Sequence, residues 1–365
     1  MGFFTNNSVT NITVGENVKY KNNSMYNAFY NSPMFNSSVV IPNGITNIGN
    51  ALYYCNNFNQ PLNIPSSVIN MHMTLYACRN FNQPITIPNG VQDMTMTLCH
   101  CYNFNQPLNI PDSVTRIRSA LSGCNGFNSP IQLGSGIADM FSAFANCQKL
   151  NQPITIPNTT IDISNAFNNC RNFNQPVTMG SSVNNMCNTF INCVKFNQPV
   201  TIPSGVTNTA FAFGYCSSFN SPVTIKDGVK SMFCAFTGCA NFNQSLTIPD
   251  SVTNMAQMFH SCANFNQSLT IPDSVTNMAM AFYNCKNMTQ NITVLSSSVT
   301  NVQSMLSQKN NSKRINIIVP NGSTTNTTFA KANTQSCVGT TITWTTDSTN
   351  NRRYNTKYNI YIHWV

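Results

Sequence analysis

Cysteines recur at every twenty-third residue over most of this chain, in one unbroken frame. They stand at Cys55, Cys78, Cys101, Cys124, Cys147, Cys170, Cys193, Cys216, Cys239, Cys262 and Cys285. An asparagine column runs in the same frame from Asn36 to Asn266, usually preceded by phenylalanine. A unit this short cannot bury its apolar side alone, so neighbouring units must stack to complete the core. The period therefore predicts a solenoid of about twelve coils.

Each coil reads F-N-Q-P-L-T-I-P-D-S-V-T-N-M-x-x-A-F-x-x-C-x-N. In residues 61–65 apolar and polar positions alternate between prolines, which predicts a short parallel strand with one buried face. Met71, Thr74, Leu75 and Cys78 follow the spacing of a helix face, and the preceding residue is usually Asn, Asp or Ser, the residues that cap a helix. The expected fold is a leucine-rich-repeat-like solenoid with one short strand and one short helix per coil.

The columns L-T-I-P-x-x-V-T-N-M-x-x-A-F-x-x-C, clearest at residues 246–262 and 269–285, resemble the leucine-rich repeat of BspA-like surface proteins. The F-N-Q-P element is similar to repeats of mycoplasma surface lipoproteins. This resemblance covers about residues 12–306. It implies a leucine-rich-repeat-like fold and a role among bacterial adhesins, protist surface proteins, or phage and giant-virus proteins.

The repeat pattern divides the chain into three parts. Residues 1–30 form a modified first repeat that acts as a cap, residues 31–307 form the solenoid, and residues 308–365 form a small β-rich domain that caps the stack or attaches it to a partner. We favour attachment or oligomerisation, because a cap alone needs fewer residues. The candidate attachment residues are Arg352, Arg353, Tyr358 and Trp364.

Composition excludes several functions. Charged residues make up 7% of the chain and the net charge is +9, with many of the basic residues near the C-terminal end. No basic run interleaved with aromatics is present, so nucleic-acid binding is not expected. No signal peptide or apolar run long enough to span a membrane is recognised. The four histidines and nine acids show no catalytic, metal-binding or phosphate-binding spacing, so we expect no enzyme activity, cofactor or metal.

Several columns are candidate contacts. The cysteines are expected to be buried free thiols, and the asparagines to satisfy backbone groups at an internal corner. An outward hydroxyl row could meet a glycan or another flat surface, although threonine also simply suits an exposed strand. This row comprises Thr155, Thr178, Thr201, Thr224, Thr247, Thr270 and Thr293. Outward aromatics share another column at Tyr53, Tyr76 and Tyr283.

The leading functional hypothesis is a non-enzymatic virion component of a phage or virus, in a tail, baseplate or head, that presents a repeat surface for structure or adhesion. Its partners would be other virion proteins, or a host surface receptor or glycan, and we expect a homo-oligomer or multi-copy assembly. Virion proteins need no export signal, which favours this hypothesis. The alternative is a BspA-like cell-surface or extracellular adhesin, or an interaction scaffold, of a bacterium or protist.

Overall fold

The computed structural model describes residues 20–306, 314–319, 345–347, 352–355 and 360–364. The chain divides into two units, Met1–Val183 (unit 1) and Asn184–Val365 (unit 2). Within each unit, equivalent residues of successive coils lie side by side and in parallel, at a spacing of 23 residues in sequence; examples are the bridges Asn47 to Asn70 and Asn208 to Ser231. The predicted leucine-rich-repeat-like solenoid is confirmed.

The strands of unit 1 are short and parallel. They are β1 (Leu108–Asn109), β2 (Ile131–Gln132), β3 (Ile154–Thr155) and β4 (Val177–Thr178). β1 pairs with β2 and β3 pairs with β4, each one coil apart. In an earlier coil Leu62 and Ile64 are buried while Asn63 between them is exposed, so the period-2 alternation extends beyond the assigned strands. A single 3₁₀ turn, Lys21–Asn23, precedes the first described coil.

Unit 2 has the same coil architecture and also contains a larger sheet. Its strands are β5 (Val200–Ile202), β6 (Val223–Ile225), β7 (Leu269–Ile271), β8 (Ile292–Val294), β9 (Ile315–Val319), β10 (Thr345–Asp347), β11 (Arg352–Asn355) and β12 (Ile360–Trp364). β5 pairs with β6, and the remaining six strands form one sheet in the order β10-β11-β12-β9-β8-β7. β9 pairs in parallel with the coil strand β8, and β12 pairs in parallel with β9. β11 pairs antiparallel with β12, and β10 pairs antiparallel with β11. The C-terminal strands therefore extend the coil sheet.

The helix predicted for each coil is wrong. In the described part of the chain, the segment equivalent to residues 71–78 is a run of overlapping turns. The amides of Thr74, Tyr76 and Cys78 each donate to a carbonyl three residues earlier, while those of Met71, Met73 and Leu75 donate to the next coil. Met73 has a φ of 53°, outside the right-handed region of a helix. The residues predicted to be buried are buried, but the backbone that presents them is not helical.

The coil spacing gives a physical reason for this difference. Parallel strands lie about 4.7 to 4.9 Å apart, whereas packed helices need about 8 to 10 Å. A turn run that bonds to the next coil has the same spacing as the strands, and the ring centroids of Tyr53 and Tyr76, one coil apart on the turn run, are 4.8 Å apart. Both sides of the coil can therefore stack at a common rise.

The residues predicted to cap the helix still make capping hydrogen bonds. Asn70 Oδ1 accepts the amide of His72 at 2.8 Å, and Asp139 Oδ1 accepts the amide of Phe141 at 2.9 Å. Each side chain thus satisfies the amide two residues later, as in an Asx turn. Arg116, which breaks this column, instead lies 3.9 Å from Asp93 of the preceding coil. The capping residues begin the turn run, not a helix.

Aromatic ladders fill the core of both units. In unit 1, Phe81, Phe104 and Phe127 are fully buried and stack with ring centroids 5.9 to 6.0 Å apart. Unit 2 contains two such ladders side by side, and Phe236 and Phe242, one from each ladder, have ring centroids 4.7 Å apart. Stacked, buried rings of this kind make the inward columns intolerant of smaller residues.

Candidate binding surfaces

The threonine row lies on the outward side of the strands in both units. In unit 1, Thr155 and Thr178 pair in register on β3 and β4 and are exposed. In unit 2, two further pairs are in register, Thr201 with Thr224 and Thr270 with Thr293. All are exposed except Thr293, which is half-buried, and Thr247 is exposed as well. Because the residues on either side point inward, the backbone fixes each hydroxyl at a regular position.

Shallow depressions adjoin this row in unit 1. One, of about 770 Å³, is lined by Thr155 and Thr178 together with Gln132, Asn158 and Met179. Its lining mixes hydroxyl and amide groups with apolar side chains. Gly180 adjoins this depression. Only glycine fits at this position, because a Cβ atom there would lie 2.1 Å from the carbonyl oxygen of Pro157. This surface has the mixture of polar and apolar groups that small ligands and glycans require.

Tyr53 and Tyr76 are brought together on the turn run of unit 1. Tyr30, Tyr53 and Tyr76 form a stack with centroids 4.7 and 4.8 Å apart and interplanar angles of 1° and 12°. Burial raises the pKa of Tyr53, and it raises the pKa of Tyr76 to about 12, so both phenols are neutral at physiological pH. Tyr30 was missed from the sequence, although it stands 23 residues before Tyr53 in the same column.

Tyr283 lies in unit 2, where it stacks on His260 with centroids 4.8 Å apart and an interplanar angle of 2°. His260 Nδ1 is 3.2 Å from the hydroxyl of Ser261. Burial lowers the pKa of His260, so its imidazole is neutral at physiological pH. Tyr283 therefore belongs to a separate aromatic pair.

The asparagine column bonds successive coils together, as predicted, but it is not internal. Asn105 Oδ1 accepts the amide of Asn128 at 2.7 Å, and Asn128 Oδ1 accepts the amide of Asn151 at 2.7 Å. Asn105 and Asn128 are both exposed. In unit 2 the pair Asn220 and Asn243 repeats the bond at 2.8 Å. The amide oxygens accept hydrogen bonds from the backbone, and the residues of the column are exposed or half-buried.

The cysteine column is buried, as expected, but its thiols are hydrogen-bond donors as well as apolar groups. The thiols of Cys78 and Cys101 each donate to a carbonyl of the preceding coil at 3.1 Å, from Leu52 and Leu75. Burial raises the pKa of both thiols well above the usual value. A thiol held in this way is neutral and unreactive, so the column is structural.

Three of the four candidate attachment residues lie in described strands. Arg352 and Arg353 are in β11 and Trp364 is in β12, while Tyr358 lies outside the described residues. Beside them, the guanidinium of Arg314 lies 3.9 Å from the ring centroid of Tyr361. The proposed attachment role of these residues stays a prediction.

Within the described residues, no group of three or more His, Cys, Asp or Glu side chains is placed to hold a metal ion. The ion pairs there link neighbouring coils; Arg118 Nε, for example, is 3.2 Å from Asp139 Oδ2. Among the described helical segments, none is long and apolar enough to cross a bilayer. The absence of enzyme activity remains a prediction from the sequence.

These observations define the class: a leucine-rich-repeat-like solenoid with structural cysteine, asparagine and phenylalanine columns and variable outward columns. Comparison with known families then places the chain. The family described as mycoplasma protein of unknown function, DUF285, matches residues 23–133, 88–178, 138–248 and 226–319. These overlapping matches cover most of the chain, which therefore belongs to this family.

Other comparisons add little about function. No curated protein matches the sequence. Among solved structures, a leucine-rich cell surface protein from Faecalibacterium prausnitzii A2-165 is similar over 74% of this chain and 75% of that one, with 18% identity and a TM-score of 0.41. Neither comparison supports the expected virion role.

Proposed function

We propose that this chain is a non-enzymatic binding protein that uses the threonine row to contact a neutral glycan. The single observation that supports it most is the pair of exposed, in-register hydroxyls of Thr155 and Thr178 beside a depression of mixed polarity. Their strand positions are fixed before a ligand arrives, which lowers the entropic cost of binding.

The chemistry of the surface favours an uncharged partner. The row offers hydroxyls, and the adjoining depression adds the amides of Gln132 and Asn158 with Asp112 as its acid. Hydroxyl and amide groups donate and accept hydrogen bonds, and the exposed ring of Pro153 supplies the apolar contact that sugar rings also need. A strongly charged ligand would find little to pair with here.

We further propose display on a cell surface, because the repeat resembles that of BspA-like surface proteins and the family is described from mycoplasmas. Protease treatment of intact source cells tests this placement. We expect the protein to be cleaved without lysis, whereas full protection until lysis would contradict it.

The glycan proposal is tested by titrating the chain and its Thr155→Val/Thr178→Val variant against immobilised neutral glycans. Valine suits a strand and removes only the hydroxyls. Losing two hydrogen bonds should weaken binding about tenfold or more.

The matched control is Thr115→Val, an exposed threonine of unit 1 whose hydroxyl donates to the carbonyl of Gln92 on the turn side of the coil. It should bind as the unaltered chain does. Equal affinity of the double variant and the unaltered chain, or failure of every neutral glycan to bind, would refute the proposal.

A further inference from the structure

Unit 1 has a second distinctive surface, on its turn run and away from the threonine row. Six tyrosines lie within residues 26–102. Ring contacts link Tyr30, Tyr53, Tyr54 and Tyr76, and His100 connects Tyr76 with Tyr102. We call this surface the tyrosine face. It comprises Tyr26, Tyr30, Tyr53, Tyr54, Tyr76 and Tyr102. Tyr26 and Tyr102, at its two ends, are 51% and 37% exposed. The column of Tyr30, Tyr53 and Tyr76 continues in later coils as Cys99, Ser122, Ala145 and Asn168. The coil itself therefore does not require aromatics at these positions.

The tyrosine face has the composition of a protein interface. Met73 and Met96 share the column next to that of Tyr26, and Arg79 covers the ring of Tyr102 at 5.5 Å. The sequence has no acid between Glu16 and Asp93. Tyrosine, methionine and arginine are enriched in interface cores, from which other charged residues are depleted. Each tyrosine also offers a large contact area at a low cost in side-chain entropy.

The ring geometry disfavours a sugar as the occupant. Both faces of Tyr53 are covered, by Tyr30 and by Tyr76. The far side of Tyr76 meets the ring of His100 edge-on, with centroids 5.5 Å apart and an interplanar angle of 89°. Sugars stack on free ring faces, whereas this ladder presents ring edges and phenol hydroxyls. Its partner must therefore match a row of edges repeating every 4.7 to 4.8 Å.

A second copy of the chain has that repeat. Two identical ladders with one rise stay in register along their whole length, as identical stacked side chains do in dry interfaces between β-sheets. A twofold arrangement makes the surface complementary to itself. With three ladder tyrosines, an axis through the middle one pairs Tyr53 with Tyr53 of the second copy, and Tyr30 with its Tyr76.

We propose that the tyrosine face is the contact surface of a symmetric dimer, in which the coil stacks of two unit 1 copies run antiparallel about an axis at Tyr53. This interface does not depend on the proposed glycan contact, because the threonine row and the tyrosine face occupy different sides of the coil. The high pKa of Tyr76 is consistent with the proposal, since its phenol stays neutral when water is excluded.

Analytical ultracentrifugation across a concentration series tests the dimer. The full chain should dimerise, and Tyr53→Ser should raise the dissociation constant about thirtyfold, as expected for an aromatic at an interface centre. Ser122 already occupies this column, so the backbone accommodates the replacement. The control, Tyr283→Ser, removes a stacked tyrosine from unit 2 and should leave the dissociation constant unchanged.

Disulfide trapping tests the symmetry. Tyr53→Cys should form a covalent dimer on mild oxidation faster than the unaltered chain, because the axis places the two introduced thiols together. Tyr30→Cys and Tyr76→Cys should cross-link when mixed with each other and slowly when alone. A chain that stays monomeric at every concentration would overturn the proposal, as would Tyr30→Cys cross-linking to itself faster than Tyr53→Cys.

Discussion

Replacing Asn146 by alanine and by glycine tests the turn run against the helix that the sequence pattern favours. Asn146 is exposed, and its φ is 62°. Both replacements remove the same amide, which accepts a hydrogen bond from Asn169 Nδ2 at 2.8 Å. The difference between them therefore reports only on the backbone.

The turn run and a helix predict opposite signs for the difference in the free energy of unfolding between the alanine and glycine variants. In the left-handed region an alanine costs about 1 to 2 kcal/mol, which glycine avoids, while glycine loses about 0.5 to 1 kcal/mol through backbone entropy. The glycine variant should thus be the more stable by about 0.5 to 1 kcal/mol. In a helix, alanine would be the more stable by about 1 kcal/mol.

Urea unfolding of the two variants, followed by circular dichroism, measures this difference. Long repeat arrays can depart from two-state unfolding, so the midpoints of the two variants at one position are the quantity to compare. Asn168 in the next turn run is the control, because its φ is not positive. At this position the alanine variant should be more stable than the glycine variant. A higher midpoint for Asn146→Ala than for Asn146→Gly would refute the turn assignment.

Two further predictions concern the structural columns. Burial raises the pKa of the Cys55 thiol from its usual value of 9.0 to about 12, and it also raises the pKa of other thiols in the column. The folded state therefore favours the protonated thiols. The free energy of unfolding should therefore be constant below about pH 8 and fall above pH 9, by up to about 1.4 kcal/mol per pH unit for each thiol that ionises only on unfolding. Midpoints measured between pH 7 and pH 10 check this, and a midpoint that does not fall would contradict it. Asn128→Ala should lower the free energy of unfolding by about 1 kcal/mol because the amide of Asn151 loses its acceptor, whereas Asn128→Asp retains an oxygen and should cost less. Equal losses for the two variants would show that the hydrogen bond contributes nothing.

The inward half of the fold could be predicted from the sequence because burial repeats with the period. Leu62, Ile64 and Leu75 are buried as their columns indicate. The helix was predicted wrongly because a run of turns with inward residues at the same spacing has the same apolar pattern. The distinguishing signal was the residue type at the positions of positive φ, where Gly123, Asn146 and Asn169 share a column. Glycine and asparagine tolerate that region, and neither favours a helix interior.

The candidate surfaces could be predicted only as columns. The threonine row follows directly from strand alternation, since Thr155 and Thr178 must point away from their buried neighbours. The tyrosine face could not be predicted from the sequence, because the stacking of its rings depends on the spacing between successive turn runs. Helices would have held Tyr53 and Tyr76 too far apart to stack, whereas the turn run places their ring centroids 4.8 Å apart.

The separation of inward and outward columns explains how one coil can support different surfaces. The inward columns repeat because each buried ring packs on its equivalents one coil away, as Phe104 does on Phe81 and Phe127. An outward position has no such constraint, so a column can change from tyrosine to serine, as between Tyr76 and Ser122. An outward position is constrained where a bulky side chain of the preceding coil packs over it. A Cβ atom at Gly123 would lie 2.4 Å from His100 Nδ1, so His100 requires glycine there. Outward surfaces on such a coil can thus vary residue by residue, except where one side chain occupies the space of the next.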